Sequence, residues 1–150
     1  MRPVIPPPII LIFYIAVAYG IDLFSPFDVL LGNAHLLAPL LLGGIGVLIA
    51  VLGVIAFRKH ETTVSPHAID KTRTLVTTGI YRFTRNPMYL GMALVLLGAI
   101  AWMQDVFALA TVPVFIATLN RLQIRPEEDV LSARYGAAYT AYCEKVRRWI

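Results

Sequence analysis

From Ala34 to Phe57 the chain runs for 24 residues without a charged side chain, which as a helix would rise about 36 Å. That length exceeds the roughly 30 Å hydrocarbon layer of a bilayer. A soluble domain of 150 residues with 58% hydrophobic and only 15% charged side chains has too little interior to hide such surface, so lipid must be part of the solvent. The mean hydropathy of +0.71 points the same way, and with Pro and Gly scattered along the chain it excludes a disordered or low-complexity protein.

Charges interrupt the apolar sequence at few other places. Pro3 to Ile21 is uncharged, and Pro6, Pro7 and Pro8 read as an interfacial lead-in to a helix starting near Pro8. Pro87 to Gln104 and Val106 to Asn120 are separated by Asp105 alone, and at about 27 and 22 Å they predict a tight hairpin whose second arm continues past Arg121 by snorkelling. The expectation is an all-α integral membrane bundle of four transmembrane helices, at about 8–23, 34–57, 87–104 and 106–123. Residues 1–150 form a single domain, with a cytoplasmic tail over 126–150. In that tail Leu131, Tyr135, Tyr139, Tyr142, Val146 and Trp149 recur at spacings of three or four, which predicts an interfacial helix with one apolar-aromatic face.

The thirteen basic residues fix the orientation. Arg2 precedes the first span, Arg58, Lys59, Lys71, Arg73, Arg82 and Arg85 lie between spans two and three, and Arg121, Arg125, Arg134, Lys145, Arg147 and Arg148 follow span four. Four crossings place all of them on one side, which the positive-inside rule makes the cytoplasm, with both termini there. The basic excess is therefore a topology signal and a contact with anionic lipid, leaving no case for nucleic acid. Arg2 and Ala16-Val17-Ala18 loosely imitate a cleaved signal peptide, but the flanking prolines and weak basic region fit that poorly.

One cysteine, Cys143, excludes a disulfide framework, and His35, His60 and His67 match no metal spacing, so no metal site is expected. Gly-x-Ser-x-Gly, P-loop and dinucleotide fingerprints are absent, and Asp22, Asp28 and Asp105 lie on the outer side rather than within the uncharged runs, which argues against an intramembrane proton relay. Three features remain. Asn86 followed by Pro87 reads as the N-cap and first residue of span three, with Tyr81, Arg82, Arg85 and Tyr89 crowded around it. This is either a capped helix with interface anchors or a binding site. Glu127 and Glu128 follow Arg121, Arg125 and Pro126, either as carboxylates costly to desolvate or as the solvated first turn of the tail helix. Gly43, Gly44, Gly46 and Gly53 allow close helix packing, or Gly44-Ile45-Gly46 lets a ligand approach the backbone.

Together the block from Gly79-Ile80-Tyr81 through Arg85-Asn86-Pro87-Met88-Tyr89-Leu90-Gly91, the hairpin after it, Glu127-Glu128, Tyr135-Gly136, Tyr139, Tyr142 and Val146-Arg147-Arg148-Trp149 carry a resemblance. The sequence resembles the membrane methyltransferase superfamily of isoprenylcysteine carboxyl methyltransferases and phospholipid N-methyltransferases from Ala34 onward. Its proline-rich start and Thr62-Thr63-Val64-Ser65-Pro66 are similar to small bacterial members, which implies the bacterial inner membrane. The resemblance implies an S-adenosyl-L-methionine-dependent enzyme without a Rossmann domain. It implies a cofactor site from Tyr81, Asn86, Pro87, Tyr89, Gly44, Gly46, Arg121, Arg125, Glu127 and Glu128, with Arg85, Asn86 and Tyr89 at the chemistry. The isoprenylcysteine branch has Arg-His-Pro where this chain has Arg85-Asn86-Pro87, which argues against a prenylcysteine acceptor.

Glu127 and Glu128 can pair with the cofactor's ammonium or ribose hydroxyls, Arg121, Arg125 or Arg85 with its carboxylate, and Tyr81 and Tyr89 can face the sulfonium. The acceptor, a lipophilic or small thiol, carboxylate or amine, would come sideways from the bilayer, and no residue stands out as a general base. A noncatalytic membrane module or carrier on the same scaffold is the other reading, and cofactor binding separates the two.

Overall fold

The computed structural model describes residues 5–25, 34–61 and 75–150. The side chains of Arg2, Arg58, Lys59, His60, His67, Lys71 and Arg73, the segment 62–66 and the loop through Asp28 lie outside the described residues. The described chain is all helical, with no strand, and its main elements are α1 (Pro7–Phe24), α2 (Ala34–Glu61), α3 (Pro87–Met103), α4 (Thr111–Leu119), α5 (Arg125–Tyr135) and α6 (Ala137–Lys145). Helical stretches over Pro7–Phe24, His35–Ala56 and Phe107–Tyr135 are long and apolar enough to cross a membrane, and Pro87–Met103 is a shorter apolar helix.

Proline and short polar side chains set the element boundaries. Pro7 and Pro8 occupy the first turn of α1, where no backbone N–H is needed, and the Ile9 N–H bonds the Pro6 carbonyl at 2.9 Å. α3 opens on Pro87 and closes on Gln104, which adopts the left-handed conformation (φ 60°) and bonds back to the Ile100 carbonyl. Asp105 then accepts the Ala108 N–H at 2.8 Å, so the hairpin turns at the residue where the sequence places it.

The helices do not share contacts evenly. α2 packs along α3 and on the short 3-10 helix Gly79–Arg82, whereas α1 packs on α3 and α4. The α2–α3 seam is made of backbone: a Cβ on Gly46 would lie 2.6 Å from the Gly91 carbonyl oxygen, and one on Gly91 would collide with Gly46 in return. Gly98 sits against Gly43, and Gly53 against Pro87 and Met88. Of the two readings of the glycines, close packing accounts for Gly46 and Gly53, while a Cβ on Gly43 would meet nothing within 4 Å. Gly44 faces outward, with nothing within 4 Å of a would-be Cβ. On the other flank the Tyr14 hydroxyl meets Thr118 Oγ1 at 2.7 Å, Tyr14 stacks edge-on against the buried Phe115, and the fully buried Gln123 donates to the Ile5 carbonyl at 2.7 Å.

Two expectations for the tail are corrected. The polar segment does not begin a new helix after Pro126, because helical structure continues from Phe107 to Tyr135 through a π turn at Asn120–Ile124. A proline inside a regular α-helix clashes with the carbonyl four residues back, here Leu122, and the wider turn just ahead of Pro126 relieves that conflict. The break comes instead at Gly136, whose backbone (φ 50°, ψ −123°) separates α5 from α6. The aromatic face survives the break only in part. Leu131, Tyr135, Tyr139, Tyr142 and Val146 cluster together with Leu75, while Trp149 leaves them to pack against the core of the bundle.

Candidate active site

One end of the bundle gathers the residues that carry polar chemistry. The 3-10 helix Gly79–Arg82 brings in Tyr81, which is buried and whose carbonyl accepts the Tyr142 hydroxyl at 2.6 Å. Burial, with the Glu127 carboxylate adding to it, pushes the Tyr81 hydroxyl up to about 12. Burial likewise pushes Tyr142 up to about 12, so both phenols stay protonated across the physiological range. Tyr89, in the first turn of α3 and 4% exposed, donates its hydroxyl to Glu127 Oε1 at 2.7 Å.

The two adjacent carboxylates at the start of α5 are engaged differently. Glu128 accepts both arms of Arg148, Nε to Oε1 at 3.1 Å and Nη2 to Oε2 at 2.5 Å, and Arg85 Nη1 stands 3.4 Å from Oε1. The Arg148 guanidinium is thereby held above its ordinary value, chiefly by the hydrogen bond to Glu128. Glu127 has no cation within ion-pair distance among the described residues, and the Tyr89 hydroxyl is its hydrogen-bond donor. A carboxylate beside a second carboxylate, with one neutral donor, is arranged to receive a positive group.

Arg85 also donates from Nη1 to Cys143 Sγ, and its Nε is buried with no hydrogen-bond partner. Asn86 occupies the N-cap position of α3, as expected, but its side chain does not cap the helix. Its Nδ2 donates to the Arg148 carbonyl at 3.0 Å, where the segment after α6 returns across this loop. Pro87 is buried against the Gly53 position, a packing role. Arg121 and Arg125 are exposed one turn apart and make no ion pair among the described residues. Gly44 is exposed and Gly46 is taken up by the seam with α3, so the structure does not bring this pair to the Tyr89–Glu127 contact by any direct bond.

Reading the sequence for sites missed Thr84, Asn120, Arg148 and Trp149. Thr84 Oγ1 donates to the Arg148 carbonyl at 3.3 Å and accepts the Asn86 N–H at 3.1 Å, and Trp149 Nε1 donates to Asn120 Oδ1 at 3.2 Å. Signals were present for three of them: Asn120 closes an uncharged run, where an amide is costly without a partner, and Arg148-Trp149 end the motif that carries the resemblance.

Residues 34–138 match the family model of phospholipid methyltransferase, 105 of the 150 positions. The chain belongs to the phospholipid methyltransferase family. The matched segment contains Tyr81, Arg85, Asn86, Tyr89, Glu127 and Glu128, whereas α1 precedes it and Tyr142, Cys143 and residues 146–149 follow it. A protein of Haemophilus influenzae described as uncharacterized is 40% identical over 63 residues, covering 42% of this chain and all of that protein. No solved structure matches the chain. Membership in the phospholipid methyltransferase family points to methyl transfer at a membrane, in line with the resemblance carried by the sequence motifs, and the apolar helices make this a membrane protein.

Proposed function

We propose that this chain is an S-adenosyl-L-methionine-dependent methyltransferase that acts at the membrane on a lipophilic or small acceptor bearing a thiol, carboxylate or amine. The observation that carries the reading is the state of Glu127, a carboxylate inside the family-matched segment that is held by the Tyr89 hydroxyl and lacks the cation its neighbour Glu128 has. The donor set fits the cofactor, whose ammonium needs an anion and whose carboxylate needs a cation. Glu127 would take the ammonium or ribose hydroxyls. The exposed Arg121 and Arg125, which make no ion pair among the described residues, would take the carboxylate, since Arg85 is already shared between Glu128 and Cys143. Tyr81 and Tyr89 offer aromatic faces and hydroxyl groups on the α3 side.

When bound, the cofactor supplies an electrophilic methyl group on a sulfonium. The protein's share is then placement and the exclusion of water, which the buried Tyr81, Tyr89 and Thr84 provide at the α3 entrance. No histidine or free carboxylate beyond Glu127 stands among the described residues of this cluster, consistent with an acceptor that arrives with a nucleophilic thiolate, carboxylate or free amine. In this reading α3 is a fourth crossing, both termini face the cytoplasm of a bacterial inner membrane, and the acceptor comes laterally from lipid.

Equilibrium binding of tritiated S-adenosyl-L-methionine to the purified protein tests the reading. The wild type is expected to bind, and Glu127→Gln to weaken binding by at least about tenfold, the value of a charge-assisted hydrogen bond, while remaining folded. A folded wild type that binds no cofactor would leave the chain a noncatalytic module on the family scaffold.

A further inference from the structure

Residues 147–149, beyond the family-matched segment, bond to the loop ahead of α3, to the π turn and to the start of α5. The Arg85 N–H bonds the Arg147 carbonyl at 3.1 Å, and Thr84 and Asn86 both donate to the Arg148 carbonyl. The Arg148 guanidinium forks onto Glu128, and the Trp149 indole N–H reaches Asn120. One wall of the site is thus the α3 entrance with Tyr89, the other is the π turn and α5 with Glu127, and this segment is bonded to both.

We propose that residues 146–149 are a strap that sets the spacing of the two walls of the cofactor site, with Arg148 and Trp149 as positioning residues acting through Glu128 and Asn120. The proposal rests on the methyltransferase reading above. Two arguments carry it. Among the described residues the direct polar contacts between the walls are Tyr89–Glu127 and Arg85–Glu128. A cation taken by Glu127 shares that carboxylate with the Tyr89 hydroxyl, which leaves the walls few bonds of their own to keep their spacing when the ligand arrives. The strap holds the walls at that moment. Second, Asn120 is the first residue of the π turn, and its carbonyl accepts the Arg125 N–H five residues on. A change in the winding of this turn would rotate everything after it, by about 100° for each residue's worth of helix, carrying Glu127 away from Tyr89. The Trp149 indole, packed on the bundle core, pins the residue at which that rotation would start.

The test measures the dissociation constant for tritiated S-adenosyl-L-methionine and, separately, the ligand-free thermal midpoint of each variant in one detergent. Trp149→Phe keeps the packed ring and removes the donor, and Asn120→Ala removes the acceptor. Each is expected to weaken cofactor binding by about fivefold to tenfold, as for one lost hydrogen bond, with a ligand-free midpoint close to wild type. The double variant should bind no more weakly than either single one, because both remove the same link. Arg148→Lys, which keeps the charge and loses the fork, should weaken binding as Arg148→Gln does. Wild-type affinity in Trp149→Phe and Arg148→Gln would overturn the strap, as would weakened binding in Trp149→Phe that merely tracks a lowered ligand-free midpoint. A wild type without cofactor affinity would instead bring down the methyltransferase reading, and this inference with it.

Discussion

At the start of α5, Glu128 lies between Arg148 and Arg85, while its neighbour Glu127 meets the Tyr89 hydroxyl. The same substitution should therefore have two outcomes. Glu128→Gln leaves two guanidiniums without their anion and should lower stability by about 2 kcal/mol, less than for a fully buried pair because the Arg148 side chain is 34% exposed. Glu127→Gln should change cofactor affinity and leave the thermal midpoint nearly in place. Denaturation followed by circular dichroism, alongside the binding assay, separates the two. Asn86 gives a second contrast. As a side-chain cap it would accept Asp in its place at no cost, but its amide donates to the Arg148 carbonyl, 3.0 Å away. Asn86→Asp sets a carboxylate against that oxygen and should destabilise by about 1–3 kcal/mol, read as a lowered melting temperature. The sequence made the acidic pair conspicuous and placed it next to arginines. It held no sign that one member is claimed by Arg148, twenty positions further on, since that depends on how the chain returns after Gly136.

Among the elements, the glycines of α2 show what periodicity can and cannot deliver. Their presence in an apolar run pointed to close packing without naming the partner helix or which glycines are used. In the structure Gly46 touches the Gly91 backbone and Gly44 touches nothing. Gly46→Ala should cost about 1–3 kcal/mol by overpacking, whereas Gly44→Ala should be neutral or stabilising by up to about 1 kcal/mol through helix propensity. Thermal unfolding of the two variants in the same detergent checks the pair, and equal effects would remove the seam from the account. Helix starts were well marked in the sequence, because proline fixes them: α1 begins within a residue of its expected place and α3 at Pro87 itself. The same reasoning failed at Pro126, where a proline that normally ends a helix is absorbed by a π turn. That accommodation is invisible to a pattern built on 3.6 residues per turn.

For the whole molecule, charge-free runs identified the apolar helices, and the gap at Asp105 located the hairpin. Which helix packs on which was not written there, because every apolar face in such a sequence is chemically alike. The basic residues do make a claim about orientation that an experiment can read. A phosphatase fused after Ile150 should be inactive in bacterial cells, since that reporter works only when exported; an active fusion would overturn the cytoplasmic assignment. The α2–α3 seam has a further consequence for how the protein answers to its bilayer. Helices joined through flexible side chains can slide and tilt separately when the membrane thins or thickens, each shift costing fractions of a kcal/mol per Å. Two helices in backbone contact at Gly46 and Gly91 have no such slack, so hydrophobic mismatch will tilt them as one body and leave Tyr89 at a constant depth relative to α2. Adjustment to lipid chain length must then fall to α1 and α4, which meet through longer side chains such as Tyr14 and Phe115.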